Sequence, residues 1–284
     1  MSDIGTSTSL GGEYSLAGRT IVITGATRGL GRELARQLAA QSTRLVIAGR
    51  STAAHPHRHL PGTLDEVADE LRAAGADVLP VVADLSQADD VDRLASEALE
   101  WSGGVDVFVS NASYTPAGSF LDVSMKKWAT GVNITVFSMI SLVKAFLPGM
   151  LERGHGRVLA IGSRVAVHGD APSPEWKPTP RGGGVPLVYG TTKAALERLT
   201  TGLHDEFGGE GVAFNNLRAA SFSTESWQML SGSMGYGNAI DAVHTPAEVA
   251  AAVTWILQRP SDYSGRILGF DTLQDLGVMP RRWT

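Results

Sequence analysis

At 284 residues, with 43% hydrophobic and 19% charged residues and a formal net charge of −5, the chain has the balance of a folded protein with ample apolar material for a core. The acidic balance leaves no basic stripe to neutralise phosphates, so nucleic acid is not an expected partner. The absence of cysteine excludes disulfides, thiolate catalysis and cysteine-bound zinc, and is consistent with a reducing, cytoplasmic setting.

The Ser-, Thr- and Gly-rich start, Met1 to Gly12, lacks the basic and apolar regions of a signal peptide; residues 1–14 are expected to be a flexible leader and 15–284 a single domain. Arg19–Thr24 reads RTIVIT, a buried strand that stops at Gly25, after which Leu30, Leu34 and Leu38 recur at helical spacing. Similar strand-like runs return at Arg44–Ala48, Val78–Val82, Val105–Val109, Arg157–Ile161, Val212–Leu217 and Arg266–Phe270, with helical patterns between most of them. No apolar run approaches the ~18 residues of a membrane helix, so no membrane contact is expected. Strands apolar on both faces and alternating with helices predict an α/β fold: a doubly wound, mostly parallel, seven-stranded Rossmann-type sheet with helices on both faces. In such sheets ligands bind beyond the carboxyl ends of the strands. Pro-, Gly- or Ser-rich stretches at His55–Gly62, Gly169–Gly184 and Ser221–Gly237 predict surface loops, the second an insertion near 169–184 and the third a substrate lid near 221–240.

The segment Thr24-Gly25-Ala26-Thr27-Arg28-Gly29-Leu30-Gly31 opens the first helix, where glycines let the backbone approach a pyrophosphate held by helix N-terminal amides. The second strand ends Ala48-Gly49-Arg50, without the carboxylate that would accept ribose hydroxyls. Arg50 and Arg28 can instead pair with a 2′-phosphate, which predicts NADP(H) in preference to NAD(H). Asp84 and Leu85, after the third strand, and Asn111 and Ala112, after the fourth, are candidates for the adenosine side of the cleft. A helix cap and a turn explain Asp84 and Asn111 equally well.

Ser163 follows the fifth strand, and Tyr189 and Lys193, four apart, share one face of a helix with the apolar stripe Leu196, Leu199, Leu203 and Phe207. A phenol with an ordinary pKa near 10 needs a neighbouring cation to exchange protons at neutral pH. The spacing therefore predicts Tyr189 as the proton carrier, Ser163 as the hydrogen-bonding partner of the substrate oxygen, and Lys193 as the cation that also orients the nicotinamide ribose. Asn133, an amide in an apolar helix, is expected either to relay to Lys193 through water or to lock a helix kink. His55, His57 and His59 lie two apart, but Pro56 and the lack of an adjacent carboxylate make a defined metal site improbable, and no metal is expected.

Together TGATRGLG from Thr24, SNAS from Ser110, GVN from Gly131, AIGS ending at Ser163 and YGTTK from Tyr189 resemble the short-chain dehydrogenase/reductase family across roughly residues 15 to 275. The resemblance implies a catalytic tetrad of Asn133, Ser163, Tyr189 and Lys193, cofactor contacts from Gly25, Thr27, Arg28, Gly29, Leu30, Gly31 and Thr224, and commonly a homotetramer or homodimer. HPHRHLPGTLDEVADEL from His55 and the ending from Thr245 look like the hydroxysteroid-dehydrogenase-like branch. Two departures stand out: Ala219-Ala220 replaces the family's Pro-Gly pair, and 25 residues separate Ser163 from Tyr189, a longer interval than usual. Trp176, Trp227, Met229, Met234 and Tyr236 suit either the lining of a bulky apolar substrate site or loop anchors. The activity expected is interconversion of a ketone and a secondary alcohol. The alternatives are reduction of a 3-oxoacyl thioester and, in another class, a nucleotide-binding sensor or assembly protein without turnover.

Overall fold

The computed structural model describes residues 13–116, 118–167, 187–225 and 244–281. Seven strands form one sheet: β1 (Thr20–Thr24), β2 (Arg44–Gly49), β3 (Asp77–Val82), β4 (Val107–Ser110), β5 (Gly156–Ser163), β6 (Val212–Ala219) and β7 (Arg266–Gly269). Their order is β3-β2-β1-β4-β5-β6-β7 and every pairing is parallel. The order reverses between β1 and β4, so the chain leaves these neighbours in opposite directions and a crevice opens beyond their ends.

Alternation along each strand divides the core. Ile21, Ile23, Leu45, Ile47, Val107, Val109, Leu159 and Ile161 face a layer that includes α1 (Gly29–Ala39), α2 (Leu64–Ala73) and α7 (Pro246–Leu257). Val22, Val46, Phe108, Val158 and Ala160 face α3 (Ala88–Ser102), α5 (Ser138–Arg153) and α6 (Leu187–Phe207). Both faces are covered, which is why the strands read as continuous apolar runs. Thr63 with Glu66 and Thr245 with Glu248 make capping boxes that fix the starts of α2 and α7.

Several boundaries move from their sequence positions. β4 starts at Val107, and just before it the Asp106 carboxylate accepts the Thr20 amide at 2.9 Å. β5 runs through Ser163 and β6 through Ala219, so Ser163 is the last residue of its strand rather than a residue beyond it. The buried face of α6 is also corrected: it is formed by Val188, Thr192, Lys193, Leu196, Glu197 and Thr200, while Leu199, Leu203 and Phe207 are only partly covered.

The expectation that no segment is long and apolar enough to cross a membrane is overturned. α4 (Met125–Val132), a π turn (Asn133–Phe137) and α5 run on as one 29-residue helical stretch, Met125–Arg153, with an 18-residue window of mean hydropathy 1.8. Scattered polar residues hid this length, since the apolar residues are not consecutive in sequence. Met139, Leu142, Val143, Phe146, Leu147 and Met150 of this stretch are packed on the sheet.

Phe108 is fully buried in central β4 and meets Phe146 of α5 edge-to-face at 5.7 Å. Phe108→Ala is expected to cost about 3–5 kcal/mol, read as a lower denaturant midpoint at unchanged slope.

Candidate active site

The glycine turn sits at the β1 end of the crevice. Gly25 and Gly29 adopt φ of +70° and +53°, a region that favours glycine. A Cβ on Gly31 would overlap the Gly25 carbonyl oxygen and come 2.7 Å from Asn111 Nδ2. Thr24 Oγ1 accepts the Asn111 and Ala112 amides at 3.1 and 3.2 Å, and Asn111 Nδ2 donates to the carbonyl oxygens of Thr24 at 2.8 Å and Gly25 at 3.1 Å. The Asn111 amide nitrogen thus ties β4 to the turn.

Arg28 reaches back over β2, donating from Nη2 to Ser51 Oγ at 3.1 Å and to the Gly62 carbonyl at 3.2 Å, while its Nε is buried without a hydrogen-bond partner. Burial holds this guanidinium below its ordinary pKa, with Glu225 opposing the shift and Arg50 adding to it. Arg50 lies 3.9 Å from Asp84, whose Oδ1 accepts the Ser86 amide at 3.0 Å. The methyl of Thr27 packs so closely on Gly49 that a Cβ there would collide with it. Leu30 and Leu85 are buried in opposite core layers. His57 accepts the His59 and Leu60 amides through Nδ1, and burial, then Arg28 and Arg50, keep its imidazole below the usual range.

The second half of the site is built on β5 and α6. Tyr189 stands beside Ser163: burial raises the Tyr189 phenol above its ordinary value, while the Ser163 hydroxyl pulls it back. Lys193 is buried, its Nζ donating to the Ile161 carbonyl at 2.6 Å and lying 5.5 Å from the centre of the Tyr189 ring. Burial lowers its pKa to about 7. Asn133 opens the π turn, and its Nδ2 donates to the Ser86 carbonyl at 3.1 Å. Ser163, Tyr189 and Lys193 therefore come together as the sequence predicts, whereas the Asn133 amide is directed at β3's exit loop and the Lys193 amine at β5. Thr224 lies over the turn, its methyl 3.2 Å from a Cβ placed on Gly29. Trp176, Trp227, Met229, Met234 and Tyr236, with the loops that carry them, fall outside the described residues.

Sequence reasoning missed two charged groups here. Arg218 of β6 grips Glu197 of α6 through two bonds of 2.7 Å, holding the Tyr-Lys helix to the strand where the Pro-Gly pair is lacking. Glu225 follows Thr224 against the glycine turn. The four-residue step from Lys193 to Glu197 was the only available hint of the first.

A cradle that admits no side chains, a half-buried guanidinium with an unspent donor and a Tyr-Ser-Lys cluster suit a nicotinamide dinucleotide. Residues 19–234 match the short chain dehydrogenase family model, and the chain belongs to that family. It is similar to hydroxysteroid dehydrogenase-like protein 2 of Mus musculus, 30% identical over 265 residues that cover 93% of this chain and 50% of that protein; the chain spans about half the length of this relative. It is 31% identical to dehydrogenase/reductase SDR family member 4 of Oryctolagus cuniculus over 218 residues, 75% of each chain. Among solved structures, an NADP-bound protein from Beutenbergia cavernae, assigned as an NAD(P)-dependent gluconate 5-dehydrogenase, aligns with TM-score 0.74 and 28% identity over 92% of this chain and 98% of its own.

An amine with a folded pKa near 7 and an unfolded one near 10.5 burdens the fold fully below pH 7. The burden lifts between those values, because there only the unfolded chain holds the extra proton. Lys193→Met is therefore expected to raise the denaturation midpoint at pH 6, with a gain that shrinks toward pH 10.

Proposed function

We propose that the chain is an NADP(H)-dependent oxidoreductase that interconverts a ketone and a secondary alcohol, with Tyr189 carrying the proton. The observation behind this reading is the Tyr189 phenol beside Ser163 at the carboxyl end of β5, with the buried amine of Lys193 5.5 Å from the centre of its ring. The nicotinamide supplies hydride when bound. Tyr189, kept protonated by its burial, donates to the carbonyl oxygen as negative charge develops there, and Ser163 holds that oxygen by a second hydrogen bond. Lys193, when protonated, stabilises the phenolate that remains. In the direction of alcohol oxidation the same phenolate takes the hydroxyl proton. The Ser86 bond of Asn133 fits the kink-locking role.

Preference for the 2′-phosphate is supported by Arg28 and Arg50 around the end of β2, where the sequence puts no acceptor for ribose hydroxyls. The NADP carried by the Beutenbergia relative agrees with this reading. Assembly as a homodimer or homotetramer rests on the family resemblance and is read by light scattering; a cytoplasmic setting rests on the cysteine-free composition.

The test is a fluorescence titration with NADPH and NADH followed by oxidation against ketosteroids, diketones, quinones and a 3-oxoacyl thioester. Tyr189→Phe is expected to lower kcat by about 10²–10⁴-fold while the Kd for NADPH stays within twofold; full activity in this variant overturns the mechanism. Arg50→Asp is expected to weaken NADPH by roughly ten- to a hundredfold, the worth of about 1.5–3 kcal/mol for a charged hydrogen bond, and to leave NADH equal or tighter.

A further inference from the structure

α1 begins at Gly29 without a side-chain cap and with no acidic residue in its first turn, so its exposed amides and dipole leave a positive end facing the crevice. A carboxylate from elsewhere in the chain lies against that end. Glu225 Oε2 is 3.6 Å from the position a Cβ would take on Gly29, it is buried, and it has no hydrogen-bond partner among the described residues. The same carboxylate acts on Arg28, opposing the effect of burial there. A buried carboxylate oxygen that makes no hydrogen bond lacks its usual compensation. Among the described residues its offset is the attraction of the helix end and of Arg28.

We infer that Glu225 is an affinity-setting residue of the pyrophosphate seat, a negative charge that a dinucleotide must displace or tolerate and that keeps the cofactor loosely held. This rests on the nucleotide reading above. Two phosphates entering the glycine cradle meet a like charge at close range, where repulsion is strongest. The repulsion falls on ligands that carry the diphosphate and is shared by NADPH and NADH, so it leaves their ratio unchanged. It acts mainly on dissociation, since affinity differences within one site are expressed chiefly in koff.

Glu225→Gln keeps the shape and removes the charge, and Glu225→Asp keeps the charge. Calorimetry and stopped-flow fluorescence on the full chain with NADPH, NADH and ADP-ribose, and calorimetry with 2′-AMP as the ligand lacking a diphosphate, give the readout. The expected result is that Glu225→Gln tightens all three diphosphates by about ten- to a hundredfold with slower release, while 2′-AMP changes by less than threefold and Glu225→Asp behaves as wild type. Equal affinities in wild type and Glu225→Gln overturn the inference and leave the nucleotide reading standing. Tightening in Glu225→Asp overturns it too, because packing rather than charge is then responsible. Tightening without turnover of any carbonyl upholds the inference while overturning the redox assignment, and failure of both proteins to bind any of the three diphosphates overturns the inference together with the nucleotide reading.

Discussion

The crevice between β1 and β4 is held open by one small knot of hydrogen bonds. Thr24 Oγ1 takes two amides from the start of the β4 exit loop, and the Asn111 amide answers by donating to the carbonyls of Thr24 and Gly25. The two chain exits diverge from this point, and the knot fixes how far apart they begin. Everything functional is placed relative to it: the glycine cradle is pressed against Asn111, and β5 carries Ser163 two strands away in fixed register, through Val22 opposite Phe108 and Phe108 opposite Val158. The close approach at Gly31 follows from the same knot, since the space a Cβ would need is occupied by the oxygen and nitrogen that make it.

The electrostatics of the proton-transfer centre come from burial more than from pairing. Burial pushes the Tyr189 phenol up and the Lys193 amine down, so both neutral forms are favoured in the free protein. Glu197, one helical turn further along α6, shows the contrary arrangement, a two-pronged contact with Arg218 of β6. The helix thus carries a buried amine one turn from an ion pair, and the second anchors the backbone from which the first projects.

Much of the fold was legible because the parallel sheet is buried on both faces, and its strands therefore stand out as Val- and Ile-rich runs with glycine after them. Leu30, Leu34 and Leu38 were readable for the same reason. The Tyr189–Lys193 spacing was legible as geometry along one helix. What could not be read were relations across elements that no motif marks: Arg218 with Glu197, the Asn111 knot, and the carboxylate of Glu225 over Gly29 each join segments distant in sequence, and local periodicity is silent on them. α6 misled because its buried face carries a lysine, a glutamate and two threonines, polar groups admitted only because partners on β5 and β6 or the helix's own carbonyls receive them.

The π turn at Asn133–Phe137 sets the rotational phase of the long helical stretch that contains it. A regular helix advances about 100° per residue, and the wider turn accommodates one residue more than the ladder requires. Shortening this segment by a single residue would restore an unbroken α-helix and swing α4 by about that angle about its own axis relative to α5. The face that now brings Asn133 to Ser86 and Gly131 against Val188 would turn away, while Phe146 and Met150 kept their seats on the sheet. A single extra residue in this segment is thus what sets α4's working face independently of the core beneath α5.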